Sequence, residues 1–250
     1  MKTKKTGKTM RVAGLLLALV LVTSCFVGGT FAKYVTYGGG TDHARVAKFG
    51  VTVTATGNDT IFATKYDKAA GAPAALTAQY SVESSDTAKV VAPGTKNENC
   101  LTVSVTGKPE VAVEVDYDAL VNLTGNWEYK YTDNQGTEHT EFYCPLVIKV
   151  GENTFKGTDY TSVQKFTDAV AKAITDLSAV YPAGTELNGT ASKGFNVSWE
   201  WPFEVKDADG KVDHDTDMKD TYLGNQAATL TGTAVPSVII QAGVTVTQVD

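Results

Sequence analysis

From residue 49 onward, apolar and polar residues alternate in short runs. In FGVTVTAT (49–56), Phe49, Val51, Val53 and Ala55 fall on one side and Thr52, Thr54 and Thr56 on the other, the period of a half-buried strand. LTVSVTG (101–107) repeats the pattern, and EVAVEVDY (110–117) places Val111, Val113, Val115 and Tyr117 on one side. NWEYKYT and TEHTEFY flank the turn sequence Asp133-Asn134-Gln135-Gly136 and predict a hairpin. PLVIKV followed by GENTFKG predicts a second one. FNVSWEWPFEV (195–205) aligns Val197, Trp199, Trp201, Phe203 and Val205. Pro202 cannot donate to a ladder, so this strand is expected at an edge or with a bulge there. SVIIQAGVTVTQV (237–249) ends the pattern as one long or two short strands.

One stretch has the other period. In TSVQKFTDAVAKAITDLSAVYP, Val163, Phe166, Val170, Ala173, Ile174 and Leu177 form a single helical stripe. Thr161 with Gln164 fits a capping box, and Tyr181-Pro182 ends the segment. The stripe reads as the face that packs on the sheets. Many short alternating strands with Gly- and Pro-marked turns predict a mainly β chain. The expected form is an antiparallel jelly-roll-like β-sandwich with one helical insertion at about 161–180. No repeat of fixed period and no Pro- or Ser-rich linker divides residues 47–250, which are read as one domain.

The N-terminus has neither period. Lys2, Lys4, Lys5, Lys8 and Arg11 precede the apolar run VAGLLLALVLV, and Thr30-Phe31-Ala32 offers small residues at −3 and −1. That is the layout of a secretory signal peptide over 1–32, cut between Ala32 and Lys33. Two alternatives stand beside it. Val12–Ala32 is long enough for a retained anchor, which needs about 17–25 residues, and Val22-Thr23-Ser24-Cys25 fits a loose lipidation site. Residues 33–46 then read as a flexible arm. Its apolar part carries Tyr34, Val35 and Tyr37, and Gly38-Gly39-Gly40 follows as a hinge.

Cleavage changes the charge. Residues 1–32 hold five of the 22 basic residues and none of the 28 acidic ones, so the formal charge moves from −6 to −11. An acidic chain without clustered Lys and Arg argues against nucleic acid and anionic membranes as partners. Of the three cysteines, Cys100 and Cys144 would remain. In an exported chain they suggest one disulfide. It would close a loop of about 45 residues and add about 3–4 kcal/mol. A pair of free, buried thiols is the alternative.

Catalytic signatures are sparse. There is no HExxH, GxSxG or P-loop, and Gly38-Gly39-Gly40 precedes a strand, the wrong setting for a dinucleotide loop. His43, His139 and His214 are far apart in sequence, and Glu138-His139-Thr140-Glu141 reads as a solvated strand face. DADGKVDHDTDMKD gathers Asp207, Asp209, Asp213, Asp215 and Asp217, ahead of Asp220. Alternate Asp residues in a loop can supply oxygen ligands to Ca²⁺, although Met218 stands where an EF-hand needs Gly. The competing reading is a solvated turn at Asp209-Gly210. Trp127, Trp199 and Trp201 could line a glycan platform or fill a core. Triplets at Asn58, Asn122, Asn188 and Asn196 match the glycosylation pattern, and such triplets arise by chance in a Thr-rich chain.

The run GGTFAKYVT followed by ARVAKFGVTVTATG resembles the processed N-terminus of the TasA/camelysin family of Gram-positive bacteria. Further similarities are Val91-Ala92-Pro93-Gly94-Thr95 before a strand, Gly107-x-Pro109-Glu110 leading into VAVEV, and SWEWPFE with Asp220-Thr221-Tyr222-Leu223-Gly224 downstream. The resemblance implies a signal peptide cut by a SipW-type signal peptidase and a secreted jelly-roll sandwich. It also implies assembly into biofilm-matrix or cell-surface fibres, the N-terminal arm of one subunit completing the sheet of the next. The partners it implies are further copies of the chain, the signal peptidase and an anchor or cap subunit. No cofactor beyond the candidate calcium is expected. Camelysin-like relatives are classed as metallopeptidases, which keeps a secreted metallopeptidase as an enzymatic alternative and a glycan- or protein-binding surface module as a third reading.

Overall fold

The alternation in the sequence becomes a set of antiparallel strands. The computed structural model describes residues 45–56, 60–68, 79–188, 194–206 and 209–249. The expected signal peptide, its cleavage site and residues 33–44 of the arm lie outside the described residues. The strands, in chain order, are β1 (Val51–Thr56), β2 (Lys65–Asp67), β3 (Tyr80–Glu83), β4 (Lys96–Gly107), β5 (Val113–Thr124), β6 (Glu128–Thr132), β7 (Glu138–Phe142), β8 (Val147–Val150), β9 (Asn153–Lys156), β10 (Ala179–Tyr181), β11 (Phe195–Glu200) and β12 (Ser237–Gln248). Two helices join them, α1 (Val163–Thr175) and α2 (His214–Thr229).

A five-stranded sheet has the order β1-β4-β11-β8-β9 and a three-stranded sheet the order β10-β5-β12, with β2-β3 and β6-β7 as separate hairpins. The chain changes sheet between β4 and β5, and again before β8, β10, β11 and β12. Sheet neighbours are therefore often distant in sequence. In β5 every second side chain from Val113 to Leu123 is buried or half-buried, and those between point outward. The inward sets of β4, β5 and β11 join Phe166, Val170 and Ile174 of α1 in one buried cluster. Full burial of a side chain of this size stabilises by about 1.5–3 kcal/mol. The β2 hairpin covers one end of that cluster. Phe62 and Tyr66 lie 5.1 and 6.0 Å from the Trp199 ring, and Trp199 Nε1 donates to the Ile61 carbonyl at 2.8 Å.

Both predicted hairpins form, as β6-β7 around Asp133–Gly136 and β8-β9 around Gly151. The C-terminal run is one long strand. Four expectations need correction. The helix starts after Ser162, whose Oγ accepts from Lys165 N at 3.3 Å, so Thr161 is not the cap. Residues 179 and 180, expected at the end of the helix, belong to β10. The FNVSWEWPFEV strand stops at Glu200, before Pro202, and β11 is central between β4 and β8 rather than at an edge. Its irregularity falls between Val197 and Trp199 against β4, and Phe203, expected on one face with Trp199 and Trp201, is 71% exposed while both tryptophans are buried. The expected Cys100–Cys144 disulfide is not formed, and both are free buried thiols. Cys100 Sγ donates to the Val197 carbonyl at 3.0 Å. Burial pushes the Cys100 thiol up to about 11 and the Cys144 thiol up to about 12.

The second helix is also a departure from one helical insertion. Only Asp220 and Leu223 of α2 are buried, so it carries no apolar stripe to read. Asp213 caps it, its side chain accepting from Asp215 N at 3.1 Å. Asp215 and Asp217 sit in the first turn, where the positive end of the helix dipole favours them.

Two glycines on opposite sides of this packing should respond oppositely to alanine. A Cβ on Gly157 would lie 2.8 Å from both Cβ and Sγ of Cys144, whereas one on Gly224 in α2 meets nothing within 4 Å. Urea denaturation of Gly157→Ala is expected to show a loss of about 1–3 kcal/mol from overpacking. Gly224→Ala is expected to gain about 0.5–1 kcal/mol by restricting the unfolded chain. Equal effects of one sign would contradict the packing described.

Candidate functional site: open sheet edges and a buried carboxylate

The two large sheets have edges of different kinds. α1 packs against β5 and reaches β8 and β9, and β10 pairs with the β5 edge that faces away from β12. Tyr117 N, pointing to that side, donates to Ser178 Oγ at 2.8 Å. Among the described residues no helix runs along β1 or β12.

The backbone parity of β1 can be read from its neighbours. Gly107 exchanges bonds with Leu187, N to O at 2.9 and 2.7 Å in the two directions, and so faces away from β1. Glu110 N donates to Lys48 O at 2.8 Å, in register with the β1-β4 ladder. The even-numbered residues of β1 therefore bond β4, and the N–H and C=O of Val51, Val53 and Ala55 point to the free edge. Their side chains share the face of Val105 and Val103, which are buried. Yet Val53 is 43% exposed and Ala55 is exposed too. The inner face of the sheet is thus uncovered at β1, which explains why a strand expected to be half-buried is mostly solvent-facing. Phe49, just before it, is 42% exposed.

β12 is the longer edge. Its register with β5 is unbroken from Ser237↔Thr124 to Gln248↔Val113. The bond from Val249 N to Ala112 O at 3.0 Å continues the ladder, so odd-numbered residues of β12 bond β5. The backbone groups of Val238, Ile240, Ala242, Val244 and Val246 then point outward, away from every described strand. SVIIQAGVTVTQ contains no charge and no proline. Natural edges are usually blunted by Lys, Pro or a bulge, and β12 has none of these.

A buried carboxylate organises the contacts of α2. Asp220 of α2 accepts from the Tyr143 hydroxyl at 2.5 Å and from Trp201 Nε1 at 3.0 Å. Burial raises the Asp220 carboxyl above the usual carboxylate range, against the lowering effect of those two bonds. Burial also raises the Tyr143 hydroxyl, helped by its bond to Asp220. Lys219 beside it pairs with Glu141 of β7 at 2.7 Å and with Asp215 at 2.9 Å, and Tyr222 meets the Tyr129 ring edge-on at 5.2 Å. A helix that buries almost nothing apolar is thus pinned by polar contacts. The sequence showed Asp220 as a member of an acidic run and as the start of the Asp220–Gly224 similarity, without a reason to bury it. Its three-residue spacing to Leu223 was the available signal.

The remaining predicted residues are scattered. Ala32, Lys33, Tyr34, Val35, Tyr37 and Asp207 lie outside the described residues. Asp209 is in a turn, and Asp213, Asp215 and Asp217 belong to the start of α2 rather than to a loop. Asp215 faces Lys219, and Asp217 lies 3.7 Å from His214 Nδ1. His139 Nε2 is 2.8 Å from Asp133 Oδ2 on the β6-β7 hairpin. Among the described residues no three His, Cys, Asp or Glu side chains come together as a metal-binding group. Trp127, Trp199 and Trp201 are all buried and form no surface platform. No protein-family model, no curated protein and no solved structure matches this chain.

The Asp220 environment has a pH consequence. A carboxyl with a raised folded-state value binds its proton more tightly in the folded chain. Its contribution is fullest below the unfolded value, about 4, and is lost as pH rises through the folded value. Asp220→Asn should therefore gain stability relative to the parent chain as pH rises from about 4 toward neutrality. Urea midpoints of both proteins across that range test this, and a pH-independent difference would refute it.

Proposed function

We propose that the chain is a secreted structural subunit of a biofilm-matrix or cell-surface fibre. Its fold is read as a jelly-roll-like sandwich, and it assembles by N-terminal strand exchange. The observation that carries this reading is the β1 edge. Three outward-pointing backbone positions and an uncovered inner face sit together there, which is what an added strand requires. Strand addition draws affinity from main-chain hydrogen bonds and specificity from alternate side chains. A head-to-tail contact that does not close gives an open filament.

The magnitudes fix what the arm must supply. A donor of five or six residues makes about five ladder bonds, each worth about 0.5–1.5 kcal/mol net. Association costs on the order of 4–15 kcal/mol. Hydrogen bonds alone barely balance that, so apolar anchors must be buried, at about 1.5–3 kcal/mol each. Tyr34, Val35 and Tyr37 are the anchors available in the arm. The β1-β4 ladder of its own chain already reaches Lys48, whose carbonyl accepts from Glu110 N, so the donor ends before Lys48 and Phe49 stays with its own sheet. Cleavage after Ala32 frees the arm, and the glycine hinge lets it reach a neighbour.

The test is direct. The secreted protein is expected to begin at Lys33 by N-terminal sequencing and to form filaments by electron microscopy. Deleting residues 33–46 should abolish the filaments while the thermal melt followed by circular dichroism stays near that of the parent. Filaments from the truncated chain would show that the arm is not the donor.

A further inference from the structure

We infer that β12 is a second, self-complementary assembly edge, on which two copies of this chain pair antiparallel about a two-fold axis at Ala242. This goes beyond strand exchange at β1 and does not depend on the arm. Its basis is the ladder parity of β12 together with the distribution of its side chains.

Two copies can share an edge only if the outward backbone groups of one meet those of the other. The outward positions are even-numbered, so the partners must pair even with even. Centring the axis on Ala242 sets Val238 opposite Val246 of the second copy, Ile240 opposite Val244, and Ala242 opposite itself. Each of these residues has outward N–H and C=O groups, so every such pair can exchange two hydrogen bonds. Each also has its side chain on the core-facing side, where Ile240 is buried and the others are half-buried. The apolar row of one sheet would continue unbroken into the next.

The opposite face matches as well. Ile239 falls opposite Thr245, Ser237 opposite Thr247, and Gln241 opposite Gly243. No like charges meet, because β12 has none. The acidic side chains nearest on that face belong to β5: Glu114 and Asp116 lie one strand further from the axis, and the Asp118 carboxylate leans over Gly243 of β12. Moving the axis to Gly243 would pair Val238 with Gln248 and break the apolar row. Ile239 is already 40% exposed in the single chain, and no other named strand or helix lies alongside β12 to block the approach. The product is a continuous six-stranded sheet, β10-β5-β12 running into the same strands of the partner in reverse order. An isologous contact of this kind closes on itself, so it yields a dimer, or a cross-link between two filaments, but no chain of its own.

The register gives a specific test in the full-length chain. Ile239→Cys and Thr245→Cys are expressed separately, mixed and oxidised, and the bonded peptides are located by mass spectrometry. Facing residues in a non-hydrogen-bonded antiparallel pair have Cα atoms about 4.5 Å apart, within disulfide reach. The mixture is expected to form the 239–245 bond, and either variant alone should form at least tenfold less dimer through its new cysteine. Equal yields in the mixture and in the single variants, or none in the mixture, would overturn the two-fold register. Ala242→Pro removes an outward N–H without touching the β5 ladder, and Gln241→Lys places a charge on the edge. Each is expected to shift the dimer seen by sedimentation velocity to monomer. Persistence of the dimer in the folded Gln241→Lys protein, should Ala242→Pro fail to fold, would equally overturn the proposal. Deleting residues 33–46 removes strand exchange and should leave the 239–245 bond intact, which separates failure of this inference from failure of the fibre reading.

Discussion

Every backbone N–H and C=O in a sheet needs a partner, and the β5 ladder determines which of them find one in this chain. β5 bonds β12 along its whole length through its even-numbered residues, and its odd-numbered residues face β10 and the end of α1. One side of the three-stranded sheet is thereby closed by a short strand and a helix. The other side ends in a twelve-residue strand whose outward groups have no described partner. In the five-stranded sheet β1 ends the same way. Buried sheet edges must be satisfied, so water or another strand has to meet these groups, and both edges are free of the lysines and prolines that ordinarily discourage a strand.

Packing then follows from period two. The side chains of Val103, Val105, Val113 and Val115 are buried because β4 and β5 present alternate residues to one cluster. α1 adds Phe166, Val170 and Ile174 to it. With both cysteines free, no disulfide closes the long loop between β4 and the start of β8, so burial, ladder bonds and polar contacts such as Tyr143–Asp220 hold that region. Gly157, set against Cys144 with no room for a methyl group, shows how tightly that region is filled.

Much of this was legible in the sequence because the strong signals are local. Alternation located β1, β4, β5 and β12, turn residues located two hairpins, and the apolar stripe located α1. What was not legible depends on distant partners. β11 looks like an edge strand because Pro202 follows it, but the strand ends first and the chain inserts between β4 and β8. α2 looks like an acidic loop because its buried contacts are a carboxylate and one leucine. Local charge, read without Tyr143 and Trp201, gives no reason to bury Asp220. The tryptophans were ambiguous for the same reason, since alternation puts Trp199 on one face without saying whether a hairpin covers it. The disulfide expectation came from a count of cysteines, and a count carries no geometry. Tyr34, Val35 and Tyr37 are legible only as apolar side chains beside three glycines.

α2 illustrates how differently the parts of the chain are held. A helix with a single buried leucine gains little from the hydrophobic effect, and isolated helices of this length are marginal in water. Its position therefore rests on the Asp220 bonds, the Lys219 pairs and the Tyr129–Tyr222 contact. A desolvated carboxylate held by two neutral donors is a costly anchor, since neither Tyr143 nor Trp201 returns a full charge to offset the lost water. Few buried apolar contacts are the mark of an element at the low end of local stability. The sheets rest instead on backbone ladders and one shared buried cluster. The sheets and α2 are thus held by different kinds of contact, ladder bonds and apolar burial in the first, a buried carboxylate and its charged neighbours in the second.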